Sequence, residues 1–375
     1  MLKSYDIQEI KDLKILGRTI YDASPLPIFW NHSGIEVNCT GSELWVDVEC
    51  DYDFHEIWVA GEVNRALMSR QMIYPGKNSI CLYRSMSFGT VKNVRFYKEL
   101  QAMSDRAYLT ITGLRTDGEF LPVRESRLKL EFIGDSITSG EGAFGCPADT
   151  EWLSMYMCSS RSYSNLIERM LDAECRVLSQ GGWGVHVGWD NNRRNAIPSI
   201  YDQVCGLSED GPNKTLGGHR ENDFERWQPD AVIVNLGTND DSSFNTPGME
   251  VEGFGYCKSR TEADGTRNKE DLDAIGNAAV EFLKKLRRRN PKAHLIWTYG
   301  MMGHALTELL QTAVERYSRE NGDDNVTFIS LPDTPQGQLG AHSHPGFFAH
   351  LHVAELLADY IGQRFDVPVR KDIIL

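Results

Sequence analysis

No run of about 18 consecutive apolar residues occurs in the 375-residue chain, so no segment of it reads as a membrane-spanning helix. The stretch Met1-Leu-Lys-Ser-Tyr-Asp-Ile-Gln-Glu9 also lacks the unbroken apolar core of a secretion signal, and a cytoplasmic location is the expectation. Cys-x-x-Cys pairs are missing too. The eight cysteines, at 39, 50, 81, 146, 158, 175, 205 and 257, argue against a zinc site or a disulfide framework and for reduced thiols. Positive charge is scarce: 39 Lys+Arg against 53 Asp+Glu leave −14, a field that repels nucleic-acid backbones and anionic membrane surfaces. The one basic run, Lys284 to Arg289, ends a predicted helix before Asn290-Pro291, where cations complement the carbonyl end of the helix dipole. Internal repeats and low-complexity segments are absent.

What the chain does hold is 41% hydrophobic residues and enough length for two domains. From about residue 16 to 125 short alternating segments recur, among them Ile35–Cys39, Leu44–Cys50, Ile57–Val59 and Ala107–Thr112. Turn formers such as Thr40-Gly41, Pro75-Gly76 and Asp117-Gly118 separate them, so residues 1–125 are predicted to form an antiparallel β-sandwich. Trp30, Trp45 and Trp58 are expected in its core.

After residue 126 apolar strands alternate with amphipathic helices. Strands are predicted at Leu128–Ile133, Arg176–Leu178, Ala231–Leu236, His294–Tyr299 and Val326–Ile329, and helices at Ser162–Leu171, Leu272–Leu286, Ala305–Arg319 and Phe347–Gln363. That order predicts an α/β domain over 126–375, a parallel sheet with helices on both faces. The polar stretch Asp190–Gln228 is too long for a plain loop and is expected to carry a short helix at Ala196–Val204.

In such a sheet, reactive groups gather at the carboxyl ends of the strands. Three segments of small and polar residues fall there: Gly134-Asp-Ser-Ile-Thr-Ser-Gly-Glu-Gly142, Ser179-Gln-Gly-Gly-Trp-Gly184 and Gly237-Thr-Asn-Asp240. Small residues let backbone N–H groups approach a ligand, and Ser and Asn add a hydroxyl and an amide. Gly-x-Ser-x-Gly, the nucleophile turn of another hydrolase fold, does not occur.

Gly134-Asp-Ser-Ile-Thr138, Gly237-Thr-Asn-Asp240 and His344-Pro345 resemble, in order, three blocks of the GDSL/SGNH hydrolase superfamily. The resemblance covers the whole second domain and implies the flavodoxin-like, three-layer SGNH fold. More narrowly, the phrase from Phe224 to Asp240, the Gly182-Trp-Gly184 turn and the preceding sandwich resemble the family two carbohydrate esterases. That family pairs a jelly-roll domain with an SGNH domain and removes acetyl groups from xylan and mannan. The resemblance makes Ser136 the nucleophile and His344 its base, with an oxyanion hole from the backbone N–H groups of Ser136 and Gly182, Gly181 and Gly184 being the adjacent candidates for the latter, and the side-chain amide of Asn239. No metal or organic cofactor is implied, and the implied partner is an acetylated oligosaccharide.

One departure matters. The superfamily usually places an aspartate three residues before the catalytic histidine, and Ala341 stands there. A main-chain carbonyl near Pro335–Ala341 is the expected substitute, with the Asp333 carboxylate as the alternative. Trp183 and Tyr299, near the motifs, are candidates for stacking on a sugar ring. Four histidines between His342 and His352 suggest a metal, but positions 350 and 352 cannot share a helix face, so His350 is expected to pack in the last helix and His342 to lie in a loop. Two rival functions follow from the same residues: an SGNH lysophospholipase or thioesterase, and an inert carbohydrate-binding protein.

Overall fold

The computed structural model describes residues 1–103, 106–208 and 211–372. They form two units. The first comprises Met1–Ser126 with Trp152–Ser160 and Asp202–Asn222; the second comprises Arg127–Glu151, Arg161–Tyr201 and Asp223–Leu375.

In the first unit, period-two patterning becomes alternate burial: Leu44, Val46, Val48 and Cys50 face inward along Leu44–Asp51 while their neighbours do not. One antiparallel sheet runs in the order Lys3–Asp6, Tyr108–Thr116, Leu44–Asp51, Gly76–Tyr83. The other runs Phe120–Leu121, Gly34–Cys39, Lys92–Lys98, Ile57–Val63, Ala66–Ile73. A single apolar core takes Val46 and Val48 from one sheet and Ile35 and Val37 from the other, so the two sheets are the halves of a sandwich. Of the three tryptophans expected inside, Trp30 is buried. Trp45 and Trp58 are only half-buried, each beneath a guanidinium, Arg115 at 5.5 Å and Arg70 at 4.4 Å.

A boundary near residue 126 would have left Trp152–Ser160 and Asp202–Asn222 in the second unit. Polar anchors put them in the first. Glu99, fully buried, accepts from the Ser160 N–H at 2.9 Å and its hydroxyl at 2.6 Å. The indole N–H of Trp30 donates to the Val204 carbonyl at 2.8 Å. The segment's predicted helix shrinks to Ile197–Ile200.

The second unit is a five-stranded parallel sheet. Numbered in order of appearance, Lys129–Gly134, Glu174–Ser179, Ala231–Asn235, His294–Met301 and Val326–Asp333 lie side by side as 2-1-3-4-5. Every residue of the second, third and fourth strands is buried, as expected when helices cover both faces. The long helices are Tyr163–Leu171, Lys269–Arg289, Thr307–Asn321 and Phe347–Phe365. Asn268 starts the second by accepting from the N–H groups of Glu270 and Asp271, a cap worth about 1 kcal/mol. A hairpin of Met249–Val251 and Gly255–Cys257 was not legible from the pattern. No described helix is long and apolar enough to cross a membrane. In the order 2-1-3-4-5 the progression of strands across the sheet reverses between strands one and three, and their carboxyl ends carry Ser136 and Asn239.

Candidate active site

The first parallel strand ends at Gly134, where a Cβ would sit 2.0 Å from the Thr138 hydroxyl; only glycine lets the chain turn there so tightly. Asp135 caps the four-residue helix Ser136–Ser139 by accepting from the Ile137 N–H at 3.0 Å. Gly140, left-handed at φ 80°, ends it. Ser136 therefore opens a helix, where a backbone N–H has no partner within the helix itself.

The Ser136 hydroxyl lies 2.9 Å from His344 Nε2. The other ring nitrogen, Nδ1, is 2.9 Å from the carbonyl oxygen of His342. A carbonyl only accepts, so Nδ1 carries the hydrogen and Nε2 is left to receive the serine proton. The acceptor is one residue beyond the segment expected to supply it. Asp333 does not hold the ring: its Oδ1 accepts from the Gly303 N–H at 2.7 Å and stands 3.5 Å from His304. It ends the fifth strand and pins the turn after the fourth.

Gly182 turns at φ 80°, and its N–H has no acceptor among the described residues. The Asn239 amide is engaged, donating to Asp135 Oδ2 at 3.2 Å and to the Trp183 carbonyl at 3.0 Å. Burial pushes the Asp135 carboxyl up to about 7, against the pull of the Ile137 N–H.

Asp240, given no role by the sequence reading, clamps the loop behind Gly182. Its carboxylate accepts three backbone N–H bonds, from Val185 at 2.8 Å, His186 at 2.8 Å and Val187 at 3.1 Å. Burial raises it to about 6 in spite of these donors. Gly184 makes the approach feasible, since a Cβ there would fall 2.4 Å from Asp240 Oδ2. Asp240→Asn places an amide N–H against the Val185 N–H while its oxygen still accepts from His186 and Val187, so the loop loses one arm of its clamp. We expect kcat to fall by about tenfold or more and stability by about 1–3 kcal/mol, read by parallel kinetics and thermal unfolding. Wild-type values for both would remove Asp240 from the account.

The two aromatic candidates fare differently. Tyr299 is 1% exposed in the fully buried fourth strand and packs behind Gly237, so it is core and not a sugar platform. Trp183 is half-buried, and its carbonyl accepts from the Asn239 amide. The aromatic that sequence reasoning missed is Trp189, which is 51% exposed. Its backbone N–H donates to the Gly182 carbonyl at 3.1 Å, and its ring would meet a Cβ on Gly182 at 3.0 Å. The histidine cluster disperses: His350 is buried against Tyr163 and held neutral, pushed down to about 3 by burial. Glu141, His342 and His344 bring ligand-type atoms within 4.8 Å of one another, but those atoms already bond to each other, to Ser136 or to the main chain.

Hydroxyl, imidazole and N–H donors converging on one sheet edge define the class, a serine hydrolase built for acyl transfer. Residues 132–355 match the model of the GDSL-like lipase/acylhydrolase family, and the chain belongs to that family. Among solved structures it is similar to the acetyl xylan esterase Est2A from the rumen bacterium Butyrivibrio proteoclasticus, at 47% identity over 98% of this chain and 99% of that one, with a TM-score of 0.95. A family two carbohydrate esterase from Clostridium thermocellum, solved with cellohexaose, shares the two-unit fold at 21% identity, covering 94% of this chain and 99% of that one, with a TM-score of 0.78. Among curated proteins, an acetylxylan esterase/glucomannan deacetylase of Cellvibrio japonicus is 24% identical over 69% of this chain and 62% of its own length. The cellulase/esterase CelE of Acetivibrio thermocellus is 24% identical over 89% of this chain and 37% of its own. The chain thus spans less than two thirds of these curated relatives.

Proposed function

We propose that this protein is an O-acetyl esterase acting on oligosaccharides derived from xylan or mannan, through an acetyl-Ser136 intermediate. The observation that carries the reading is the 2.9 Å contact between the Ser136 hydroxyl and His344 Nε2. As the hydroxyl attacks the ester carbonyl, Nε2 takes its proton. The resulting oxyanion draws on the N–H groups of Ser136 and Gly182 and on one N–H of Asn239 shared with its present acceptors. Collapse of the intermediate expels the sugar oxygen, which regains a proton from His344. Water then repeats the sequence on the acetyl-serine and releases acetate. The reaction balances with water alone.

The likeness to the Butyrivibrio esterase supports the acetyl-xylan reading, and the exposed Trp189 ring beside Gly182 supports a sugar as the leaving group. A cytoplasmic setting, with imported oligosaccharides as substrates, is part of the proposal; the cysteines, none of which is disulfide-bonded, support it. The jelly-roll reading of the first unit also belongs to the proposal, supported by its two antiparallel sheets around one core.

The test is acetate release from acetylated xylo- and manno-oligosaccharides, run beside p-nitrophenyl esters of increasing chain length. Acetyl esters should turn over fastest, and Trp189→Ala should raise KM for the oligosaccharides by about tenfold while leaving p-nitrophenyl acetate hydrolysis near wild type, because stacking on one ring is worth roughly 1 kcal/mol or more. Faster turnover of octanoyl than acetyl esters would replace this reading with the lysophospholipase or thioesterase one.

A further inference from the structure

Glu141 lies five residues past the nucleophile, and its side chain is only 5% exposed. Its Oε1 accepts from His342 Nδ1 at 2.7 Å and stands 3.6 Å from His344 Nδ1. The rings of His342 and His344 stack, with centroids 5.4 Å apart and planes within 9°. Between them runs a backbone that L-residues rarely adopt: His342 at φ 53° and Ser343 at φ 55°. That conformation aims the His342 carbonyl at His344 Nδ1.

We propose that Glu141 is the positioning residue for His344, taking over from another loop the work of the acid missing at position 341. It acts in two ways. By holding the His342 ring, it fixes the left-handed backbone whose carbonyl orients His344. By standing 3.6 Å from Nδ1, its carboxylate stabilises the imidazolium that forms when Ser136 gives up its proton, which a neutral carbonyl does less well. Among the described residues, the titratable groups facing His344 are Glu141, His342 and His350 from the last helix. Glu141 is the acid in direct reach of Nδ1.

The proposal rests on the Ser136–His344 reading, and its test separates the two. With p-nitrophenyl acetate, Glu141→Gln keeps the shape and an acceptor for His342 but loses the charge. We expect kcat to fall about tenfold with KM near wild type. Glu141→Asp, which keeps the charge, should restore part of kcat. His342→Ala leaves the carbonyl in the chain but frees its backbone, and should lower kcat by about tenfold as well. A merely structural Glu141 would change the unfolding temperature, leave kcat of the folded enzyme near wild type and show no rescue of kcat by Glu141→Asp. Wild-type kcat in Glu141→Gln, with Ser136→Ala inactive, overturns the proposal alone; activity in Ser136→Ala overturns the reading beneath it.

Discussion

Ser136→Ala should lower kcat for acetate release by about 10⁴-fold or more, with KM and the unfolding temperature close to wild type. The hydroxyl is the group that forms the acyl bond, and nothing in the fold depends on it: the Asp135 carboxylate caps the helix and Gly140 ends it whatever stands at 136. His344→Ala should cost nearly as much, because a serine hydroxyl without a base is a poor nucleophile. The double variant should be little worse than either single one, since the two groups act as a unit and removing the second deletes nothing that still works. Additive losses would mean that serine and histidine serve separate steps, against a geometry in which their reacting atoms are 2.9 Å apart.

Gly142→Ala should lower kcat by about 10²-fold or more, although the residue bears no functional group. Gly142 sits at φ 74°, where a side chain is strained by roughly 1–2 kcal/mol. An added Cβ would also lie 2.6 Å from His344 Cβ and 2.8 Å from the Ala341 carbonyl oxygen. Gly340 meets Gly142 from the other side, where a Cβ would fall 1.8 Å from the Gly142 carbonyl. The pair lets the histidine loop close onto the nucleophile loop, and one methyl group pushes His344 away from Ser136. Gly337→Ala, in open space on the same loop, is the control and should behave as wild type. Equal rates in the two variants, with both proteins folded by circular dichroism, would contradict the steric argument.

Much of this site is legible in the sequence because it is local. Ser136, Gly182 and Asn239 each follow an apolar strand by a few residues, so the strand pattern and the run of small residues locate them together. The doubly wound sheet is legible for the same reason, since alternating strands and helices leave few topologies. What escaped depends on contacts across the chain. Glu141 stood in a quoted motif, but its partner His342 is 201 residues away, and no spacing rule joins them. Asp240 adjoined Asn239, yet its role rests on three N–H groups of a loop more than fifty residues earlier. Tyr299 was misjudged by proximity to a motif. The signal against it was present: a strand buried on both faces has no solvent side from which a ring can reach a sugar. Trp189 fell within a long polar stretch where periodicity gives no guide to exposure.

The central claim is a covalent acetyl-Ser136 intermediate held at the edge of the parallel sheet. It is tested most directly by mixing the enzyme with an activated acetyl ester, quenching in acid within a turnover, and mapping the peptides by mass spectrometry. The account predicts one acetyl group per chain, on the peptide containing Ser136, absent in Ser136→Ala and chased off when turnover is allowed to proceed. An acetyl group on a different residue, with Ser136 unmodified in an enzyme that is turning over, would contradict it.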